Sequence, residues 1–333
     1  MSFDTELEKK WTDKAKKASA TIVLPEAYFS PRVAKAGIEA AKSGIAKIIL
    51  LTDREDALDE YNLDGVENIS VVNIKTADIR PMLVDSLVTL RASKGMTKEI
   101  AEDTLNDSVY FGTMMVELGL ADGLVAGAEI ATAKTFKPAF QIIKSKDKET
   151  KVSSFFVMIK KMDDGSEKVY LLSDCGVNIA PDANDVASFA IQSAETLRTL
   201  CEMEPKVALL CYSTKGSAEG DCAIKMLTAC QILKDKKVDF DFDGELQLDA
   251  AIVPEVANLK CKGSSVGGKA NVFIFPNLES GNIGYKLMQR FGGFKAVGPI
   301  AQGMRKPIND VSRGATVDEI VEAIAITAIQ AKF

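Results

Sequence analysis

The sequence contains no histidine among its 333 residues, and this absence is its most restrictive feature. A Ser-His-Asp triad, a Cys-His pair and any metal site built on histidine are therefore excluded. Proton transfer must fall to carboxylates, lysine, tyrosine or a thiol.

The six cysteines include no Cys-x-x-Cys pair. This argues against a zinc knuckle or a thioredoxin-type redox centre and favours reduced, mostly buried thiols.

Two nucleotide-binding signatures are also missing. The opening strand is not followed by Gly-x-Gly-x-x-Gly, and Gly-x-x-x-x-Gly-Lys-Ser/Thr occurs nowhere, so a Rossmann dehydrogenase and a P-loop kinase are disfavoured. The formal net charge of −6 gives no reason to expect a nucleic-acid partner. No apolar run is long enough to span a bilayer, and the N-terminal stretch lacks the apolar core of a signal peptide. We therefore expect a cytoplasmic protein without a membrane partner.

Apolar, β-branched runs alternate with segments of helical period along most of the chain. This alternation is typical of βαβ units and predicts an α/β fold with mainly parallel sheets. The length exceeds what a single core supports, so two domains are expected. The charged string at 144–151 indicates a surface link between them. The turn Asp163-Asp164-Gly165-Ser166 follows, between two strand-like runs, and predicts an antiparallel hairpin.

Helical periodicity also predicts single helices over 97–118, 248–259, 282–291 and 317–331. The acidic segment 243–249 allows two interpretations. Its carboxylates can hold Mg²⁺ or form an acid/base pair, and the same composition is typical of the start of a helix. We favour the helix start.

Three polar, glycine-containing connectors follow predicted strands in the C-terminal half, at 213–217, 276–282 and 298–316. In open α/β sheets, ligands bind outside the carboxyl ends of the strands. Each connector alone is more often an ordinary turn before a helix. Together their hydroxyls, glycines and cationic side chains favour an anion such as phosphate.

The connectors and their flanks resemble those of one family, the phosphate acetyltransferases or phosphotransacetylases. Similar runs are VALLCYSTKGSA (207–218), DGELQLDAAIVPEVA (243–257), KANVFIFPNLESGNIGYK (269–286), GPIAQGMRKPINDVSRGAT (298–316), YFGTMMVELGLADGLVAGA (110–128) and SDCGVNIAPDA (173–183). The resemblance covers nearly the whole chain, and its motifs occur in the family's order.

The resemblance implies reversible transfer of an acetyl group between coenzyme A and inorganic phosphate. Coenzyme A, acetyl-CoA, acetyl phosphate and phosphate would be substrates, with no metal and no tightly bound cofactor. It also implies a homodimer, a functional link to acetate kinase, and two α/β domains with the active site in the cleft between them. The first domain would comprise 1–148 plus 305–333, completed by the C-terminal helix, and the second 149–304.

By the same resemblance, Ser312 and Arg313 lie at the reaction centre and Arg91 lies near the coenzyme A or phosphate end. Attack by a thiol needs a nearby base, because a free thiol has a pKa of about 8.5. Where the family usually has an aspartate proposed as this base, the chain has Glu319 with Asp318 beside it. The further substrate-binding residues predicted are Thr132, Lys137, Ser213, Thr214, Lys215, Asn282, Gln302, Asn309 and Asp310.

The segment 127–141 departs from the family pattern. Ile130 replaces the usual histidine, Ala131 a serine, Lys134 an acidic residue and Lys137 an arginine. Three hypotheses follow: an ordinary phosphate acetyltransferase; a transferase of a longer acyl group, such as butyryl, which the apolar replacements would suit; and a catalytically weakened protein that binds acyl-CoA or acetyl phosphate as a sensor. We favour the first.

Overall fold

A computed structural model describes residues 4–56 and 59–332. In chain order its strands are β1 (Thr21–Leu24), β2 (Lys47–Thr52), β3 (Ile69–Asn73), β4 (Gly123–Ala126), β5 (Ser153–Lys161), β6 (Glu167–Ser173), β7 (Lys206–Leu210), β8 (Asp241–Leu246), β9 (Val272–Ile274), β10 (Lys295–Gln302) and β11 (Ile308–Asp310). Its helices are α1 (Glu6–Ala18), α2 (Pro31–Lys42), α3 (Arg80–Arg91), α4 (Lys98–Thr104), α5 (Ser108–Glu117), α6 (Thr132–Pro138), α7 (Ala183–Thr196), α8 (Asp221–Asp235), α9 (Leu248–Ile252), α10 (Pro254–Lys260), α11 (Leu278–Arg290) and α12 (Val317–Gln330). Single π-helical turns follow α6 and α7.

The chain divides into two compact units, which comprise residues 1–146 with 304–333 and residues 147–303. Their junctions differ by one or two residues from the predicted bounds, 1–148 plus 305–333 and 149–304. Residues 1–3, 57, 58 and 333, which those bounds include, lie outside the described residues. The active-site cleft expected between the two domains stays a prediction.

The sheet of the first unit is fully parallel and has the strand order β11-β4-β1-β2-β3. β1 lies at its centre, where Val23 is opposite Ile49 of β2 and Leu124 of β4. All three side chains are buried. Helices α2, α5 and α12 pack on this sheet. Parallel strands are normally covered by helices, which explains why β1, β2 and β4 are mostly apolar.

Helix α12 completes the first unit from the C-terminal end of the chain. A capping box between Thr316 and Glu319 begins it, and residues 320–329 are all buried. The helix contacts α1, α2 and β4. Gly123 of β4 permits this close approach, because a Cβ at that position would lie 2.6 Å from Cγ2 of Thr327. The predicted helix over 317–331 is thus confirmed.

The second unit contains a six-stranded sheet in the order β10-β5-β6-β9-β7-β8. Strands β6, β9, β7 and β8 are parallel, whereas β10, β5 and β6 pair in antiparallel fashion. The predicted hairpin at 163–166 is confirmed, since it joins β5 to β6. The predicted α/β class with mainly parallel sheets is likewise confirmed.

The acidic segment 243–249 is the start of a helix only at its end, where Leu248 and Asp249 begin α9, and this corrects part of the sequence interpretation. Its first half is the end of β8, which pairs with β7 in parallel. β8 lies at the edge of the sheet. Its acidic side chains are bonded within the unit: fully buried Glu245 accepts hydrogen bonds from the Ser213 hydroxyl and the Gly216 N–H, and Asp243 pairs with Lys215.

Three predicted helices have different bounds in the structure. The segment 97–118 forms two helices, because the Asp107 carboxylate accepts the backbone N–H groups of Val109 and Tyr110 and starts α5. The segment 248–259 is divided in the same way by Pro254, which occupies the first position of α10. α11 begins at Leu278 rather than residue 282, because Asn277 caps it.

Strand β11 was missed because it lies inside the polar connector 298–316. It pairs with β4 in parallel, and its residues are buried. The Asn309 side chain is fully buried and donates to Thr327 Oγ1 and Gln330 Oε1 of α12, at 2.8 Å each. Polar residues therefore sit inside a strand where neighbouring elements satisfy them.

We expect Asn309→Ala to lower the free energy of unfolding by about 2 kcal/mol, because it leaves a buried acceptor of α12 without its donor. Chemical denaturation of the wild type and the variant, with equal m-values for the two proteins, measures this loss of stability. The control is Asn258→Ala, an exposed asparagine on α10, whose change should stay within about 0.5 kcal/mol. Equal stability of the two variants would show that the Asn309 bonds do not hold β11 to α12.

Candidate active site

Three loops of the first unit leave adjacent strands at the same edge of the sheet. They follow β1 at 25–30, β4 at 127–131 and β11 at 311–316. β1, β4 and β11 are neighbours and all parallel, so their carboxyl ends lie side by side. This is the edge at which open α/β sheets bind ligands.

Glu26 anchors the loop after β4. Its side chain is fully buried, and its two carboxylate oxygens accept the backbone N–H groups of Ala128, Glu129 and Ile130 at 2.9, 2.9 and 3.0 Å. Hydrogen bonds to an ionised acceptor are the stronger ones. A single side chain from the first loop therefore fixes the backbone of the second.

Arg32, at the start of α2, connects the second loop to the third. Its guanidinium donates to the carbonyl oxygens of Ala128 at 2.8 Å and Arg313 at 3.1 Å, and also to that of Ala315. It further donates to the Glu129 carboxylate at 2.8 Å. This bond, with one from the Ser30 hydroxyl, lowers the pKa of Glu129. Together these bonds hold the three loops as one rigid group.

Asp310, the last residue of β11, places a buried carboxylate beneath the loops. Only 2% of the residue is exposed, and Oδ2 accepts a hydrogen bond from the Thr132 hydroxyl at 2.7 Å. Oδ1 has no hydrogen-bond partner in the described part of the chain. A Cβ at Gly127 would collide with Oδ1, so the carboxylate is packed tightly against the loop after β4.

The environment of Asp310 raises its pKa to about 6. Burial is the main cause, because the ionised form loses its hydration, and the charge of Glu26 adds to the effect. The hydroxyls of Thr132 and Thr135 and the charge of Arg313 act in the opposite direction. The carboxyl group therefore exchanges its proton near neutrality.

Ser312 and Arg313 are separated from Asp310 by one buried residue, Val311, and are both exposed. The Ser312 hydroxyl accepts the backbone N–H of Gly314 at 3.3 Å, and the Arg313 carbonyl is held by Arg32. The backbone is thus fixed while a hydroxyl and a guanidinium face solvent. Such a pair can bind an anion and stabilise an oxyanion.

The Glu319 carboxylate forms part of the capping box of α12. Oε2 accepts from the backbone N–H of Thr316 at 2.8 Å and from its hydroxyl at 3.2 Å. Asp318 lies half-buried in the same first turn. The role of Glu319 or Asp318 as the base stays a prediction.

Arg91 and Lys137 lie elsewhere in the first unit. Arg91 ends α3 and donates to the Gln141 carbonyl at 3.0 Å, while its Nε is buried and lacks a hydrogen-bond partner in the described residues. Lys137 is exposed on α6. Their substrate-binding roles also stay predictions.

The second unit holds the remaining predicted site residues. The Ser213 hydroxyl donates to buried Glu245 at 2.8 Å, and Lys215 pairs with Asp243. Thr214 bonds to Gln247 through its hydroxyl, which accepts the Gln247 N–H at 2.9 Å. The connector after β7 is thus bonded to β8 and the residue that follows it.

Asn282 and Gln302 are bonded within the second unit. Asn282 lies inside α11 and donates to the Cys175 carbonyl at 3.3 Å. Gln302 is buried, and its amide nitrogen lies within hydrogen-bonding distance of the hydroxyls of Ser153, Ser173 and Ser193.

No helix in the part of the chain described here is long and apolar enough to cross a membrane. Residues 4–56 and 59–332 likewise contain no group of three or more cysteines or carboxylates placed to hold a metal ion.

Sequence reasoning missed Glu26 and Arg32. The only local signal was their position in PEAYFSPR, the segment directly after the first predicted strand. A polar segment at that point of a parallel sheet is a candidate for the site edge. The structure thus assembles Thr132, Asp310, Ser312 and Arg313 around a framework made by residues that no motif indicated.

Comparison with known proteins shows the family to which the chain belongs. Residues 6–328 match the family described as Phosphate acetyl/butaryl transferase. The chain is 46% identical over 321 residues to the phosphate acetyltransferase of Thermoanaerobacterium thermosaccharolyticum, covering 96% of this chain and 98% of that protein. Two similar structures are a phosphotransacetylase from Streptococcus pyogenes (39% identity, 99% of each chain, TM-score 0.92) and the EutD phosphotransacetylase from Staphylococcus aureus (41% identity, 98% of each chain, TM-score 0.88). The predicted acyltransferase class is confirmed, and the chain belongs to the phosphate acetyl/butaryl transferase family.

Proposed function

We propose that this protein transfers an acetyl group reversibly between coenzyme A and inorganic phosphate. The observation that carries the proposal is the exposed pair Ser312 and Arg313, on a loop whose backbone Arg32 fixes. The names of the relatives support the same reaction. Family membership favours an enzyme over a sensor protein.

In the proposed reaction the thiolate sulfur of coenzyme A attacks the carbonyl carbon of acetyl phosphate. A carbon–sulfur bond forms, the carbon–oxygen bond to phosphorus breaks, and phosphate leaves with the electron pair. The Ser312 hydroxyl and neighbouring backbone N–H groups would stabilise the oxyanion of the tetrahedral intermediate. Arg313 would bind the departing phosphate, because a guanidinium matches phosphate geometry better than an ammonium does.

Butyryl or another longer acyl group is the second candidate. The observation behind it is apolar surface in the loop after β4, where Ile130 is half-buried and Ala131 is exposed. Apolar side chains discriminate weakly between acyl chains that differ by a methylene. Turnover rates, rather than binding affinities, must therefore decide between acetyl and a longer acyl group.

We further propose a homodimer. Ile283, Leu287 and Phe291 recur every four residues along α11 and just past its end, and they are 57%, 51% and 87% exposed. Contiguous exposed apolar surface of this kind marks an interaction site, and most soluble oligomers are symmetric dimers. A second copy of the chain is the occupant that the family resemblance supports.

We place the reaction in the cytoplasm, as predicted. In the part of the chain that the structure describes, the six cysteines are thiols rather than disulfides, which is the state expected in a reducing compartment. No metal and no tightly bound cofactor is proposed, and coenzyme A takes part as a substrate. Acetyl phosphate formed here would serve acetate kinase, the functional link that the resemblance implies.

Incubation with inorganic phosphate and acetyl-, propionyl- or butyryl-CoA, with thiol release followed by a chromogenic disulfide, tests the proposed function. We expect the highest kcat/KM with acetyl-CoA. Arg313→Ala should abolish turnover, and Arg313→Lys should retain only a small fraction of it, because bidentate binding of phosphate is lost. Highest kcat/KM with butyryl-CoA would move the assignment to the longer acyl group, and no phosphate-dependent release from any thioester would refute the proposal.

Arg32→Lys should lower kcat on the order of a hundredfold, because one ammonium cannot hold three carbonyl groups and the Ser312 loop shifts. Steady-state kinetics and a thermal melt measure the effect. Arg54→Lys is the matched control, since Arg54 is an exposed arginine of the same unit and should keep wild-type kcat. A folded Arg32→Lys protein with normal kcat would contradict the positioning role.

Phe291→Glu should convert the dimer to a monomer at micromolar concentration, because a charge would be buried in an apolar interface. Sedimentation velocity measures the state. Leu259→Glu, at an 85% exposed residue on α10 outside the α11 stripe, should leave the dimer intact. A monomeric wild-type protein, or a dimer that survives Phe291→Glu, would contradict this interface.

A further inference from the structure

We propose that Asp310 accepts the proton of the coenzyme A thiol through the hydroxyl of Thr132, an inference that rests on the acetyl transfer proposed above. It assigns the proton transfer to a pair of residues different from the carboxylates expected at the start of α12.

The geometry of the pair suits a relay. Thr132 is exposed at the start of α6, whereas Asp310 is buried beneath it. The Thr132 hydroxyl donates a hydrogen bond to Asp310 Oδ2 at 2.7 Å. The lone pairs of its oxygen are then available to accept a hydrogen bond from a bound thiol. The carboxylate itself need not contact the substrate.

Asp310 is less engaged by hydrogen bonds than Glu319, the base expected from the resemblance. Two donors from Thr316 already occupy Glu319 Oε2 in the capping box of α12. Asp310 has one oxygen without any hydrogen-bond partner in the described residues and is removed from water. Both conditions increase its affinity for a proton.

The groups that face Asp310 come from three elements. Thr132 and Thr135 approach from α6, Glu26 from the loop after β1, and Arg313 from its own loop. Burial and Glu26 outweigh the other three, so the pKa of Asp310 rises to about 6. A general base is most effective when its pKa lies near the operating pH.

The step balances with no other reactant than water. As the sulfur attacks the carbonyl carbon, the thiol proton passes to Thr132 Oγ1 and the Thr132 hydroxyl proton passes to Asp310 Oδ2. Phosphate leaves with the electron pair of the broken carbon–oxygen bond and takes up a proton from water, and Asp310 releases its proton to water before the next turnover. In the reverse direction the protonated Asp310 returns the proton through Thr132 to the departing thiolate.

The test compares kcat/KM for acetyl phosphate and coenzyme A over about pH 5 to 9 in the wild type and in Asp310→Asn, Thr132→Val, Thr132→Ser and Glu319→Gln. In the wild type we expect the rate to fall below a pH of about 6, the pKa of Asp310. Asp310→Asn and Thr132→Val should lower the plateau on the order of a hundredfold, and Asp310→Asn should remove the fall at acid pH. Thr132→Ser keeps the hydroxyl and should restore most of the rate.

A thermal melt separates this role from a structural one. Because the pKa of folded Asp310 lies above the ordinary value of 3.8, the native state retains a proton that the unfolded state loses as pH rises from about 4 to about 6. The ionised group therefore destabilises the protein above that range. Asp310→Asn should raise Tm at neutral pH and leave it nearly unchanged at about pH 4. A lowered Tm at both pH values would overturn the assignment.

The relay is also refuted if the rate of Asp310→Asn still falls at acid pH or if Thr132→Val keeps wild-type activity. It is likewise refuted if Glu319→Gln alone removes the fall in rate at acid pH. These outcomes differ from failure of the proposed function. A wild-type protein without phosphate-dependent turnover would refute acetyl transfer itself, whereas an active wild type with unaltered Asp310 and Thr132 variants would refute only the relay.

Discussion

The guanidinium of Arg32 fixes the backbone on which the candidate active site depends. Loops that leave a parallel sheet carry carbonyl oxygens without partners in the strand ladder, and a planar group with several donors can satisfy more than one of them. Arg32 does so for the loops after β4 and β11. Glu26 performs the complementary function for three N–H groups. The loops are rigid without being regular, so Ser312 and Arg313 can remain exposed and still be positioned.

Most of the fold could be predicted from the sequence, because apolar runs and helical periods are local patterns. The central strand β1 and the long helix α12 are strongly patterned and were found. β8 and β11 were not recognised, since both are short edge strands with polar residues. Their state is decided by pairing with β7 and β4, which is a non-local contact that the local sequence does not encode.

The sequence could predict a residue of the candidate site only where the residue type alone indicates its chemistry. Ser312 and Arg313 stand in a motif whose residue types indicate anion chemistry. Arg32 gave no such signal, because its carbonyl partners at residues 128 and 313 lie 96 and 281 positions away in the chain. The direction in which a side chain points could not be predicted from the sequence either. Motifs identify Asn309 and Gln302, yet both side chains form buried hydrogen bonds inside the protein.

The order of the elements along the chain has a consequence for biosynthesis. The strands β1 to β4 emerge from the ribosome first, the whole second unit follows, and β11 with α12 comes last. Until then the outer edge of β4 is unpaired and the apolar surface beneath α12 is uncovered, which makes a nascent chain prone to aggregation. The loop that carries Ser312 and Arg313 lies between these two late elements, so assembly of the candidate site is one of the final events of synthesis. A nascent chain that has reached residue 303 would carry a complete second sheet and none of that loop.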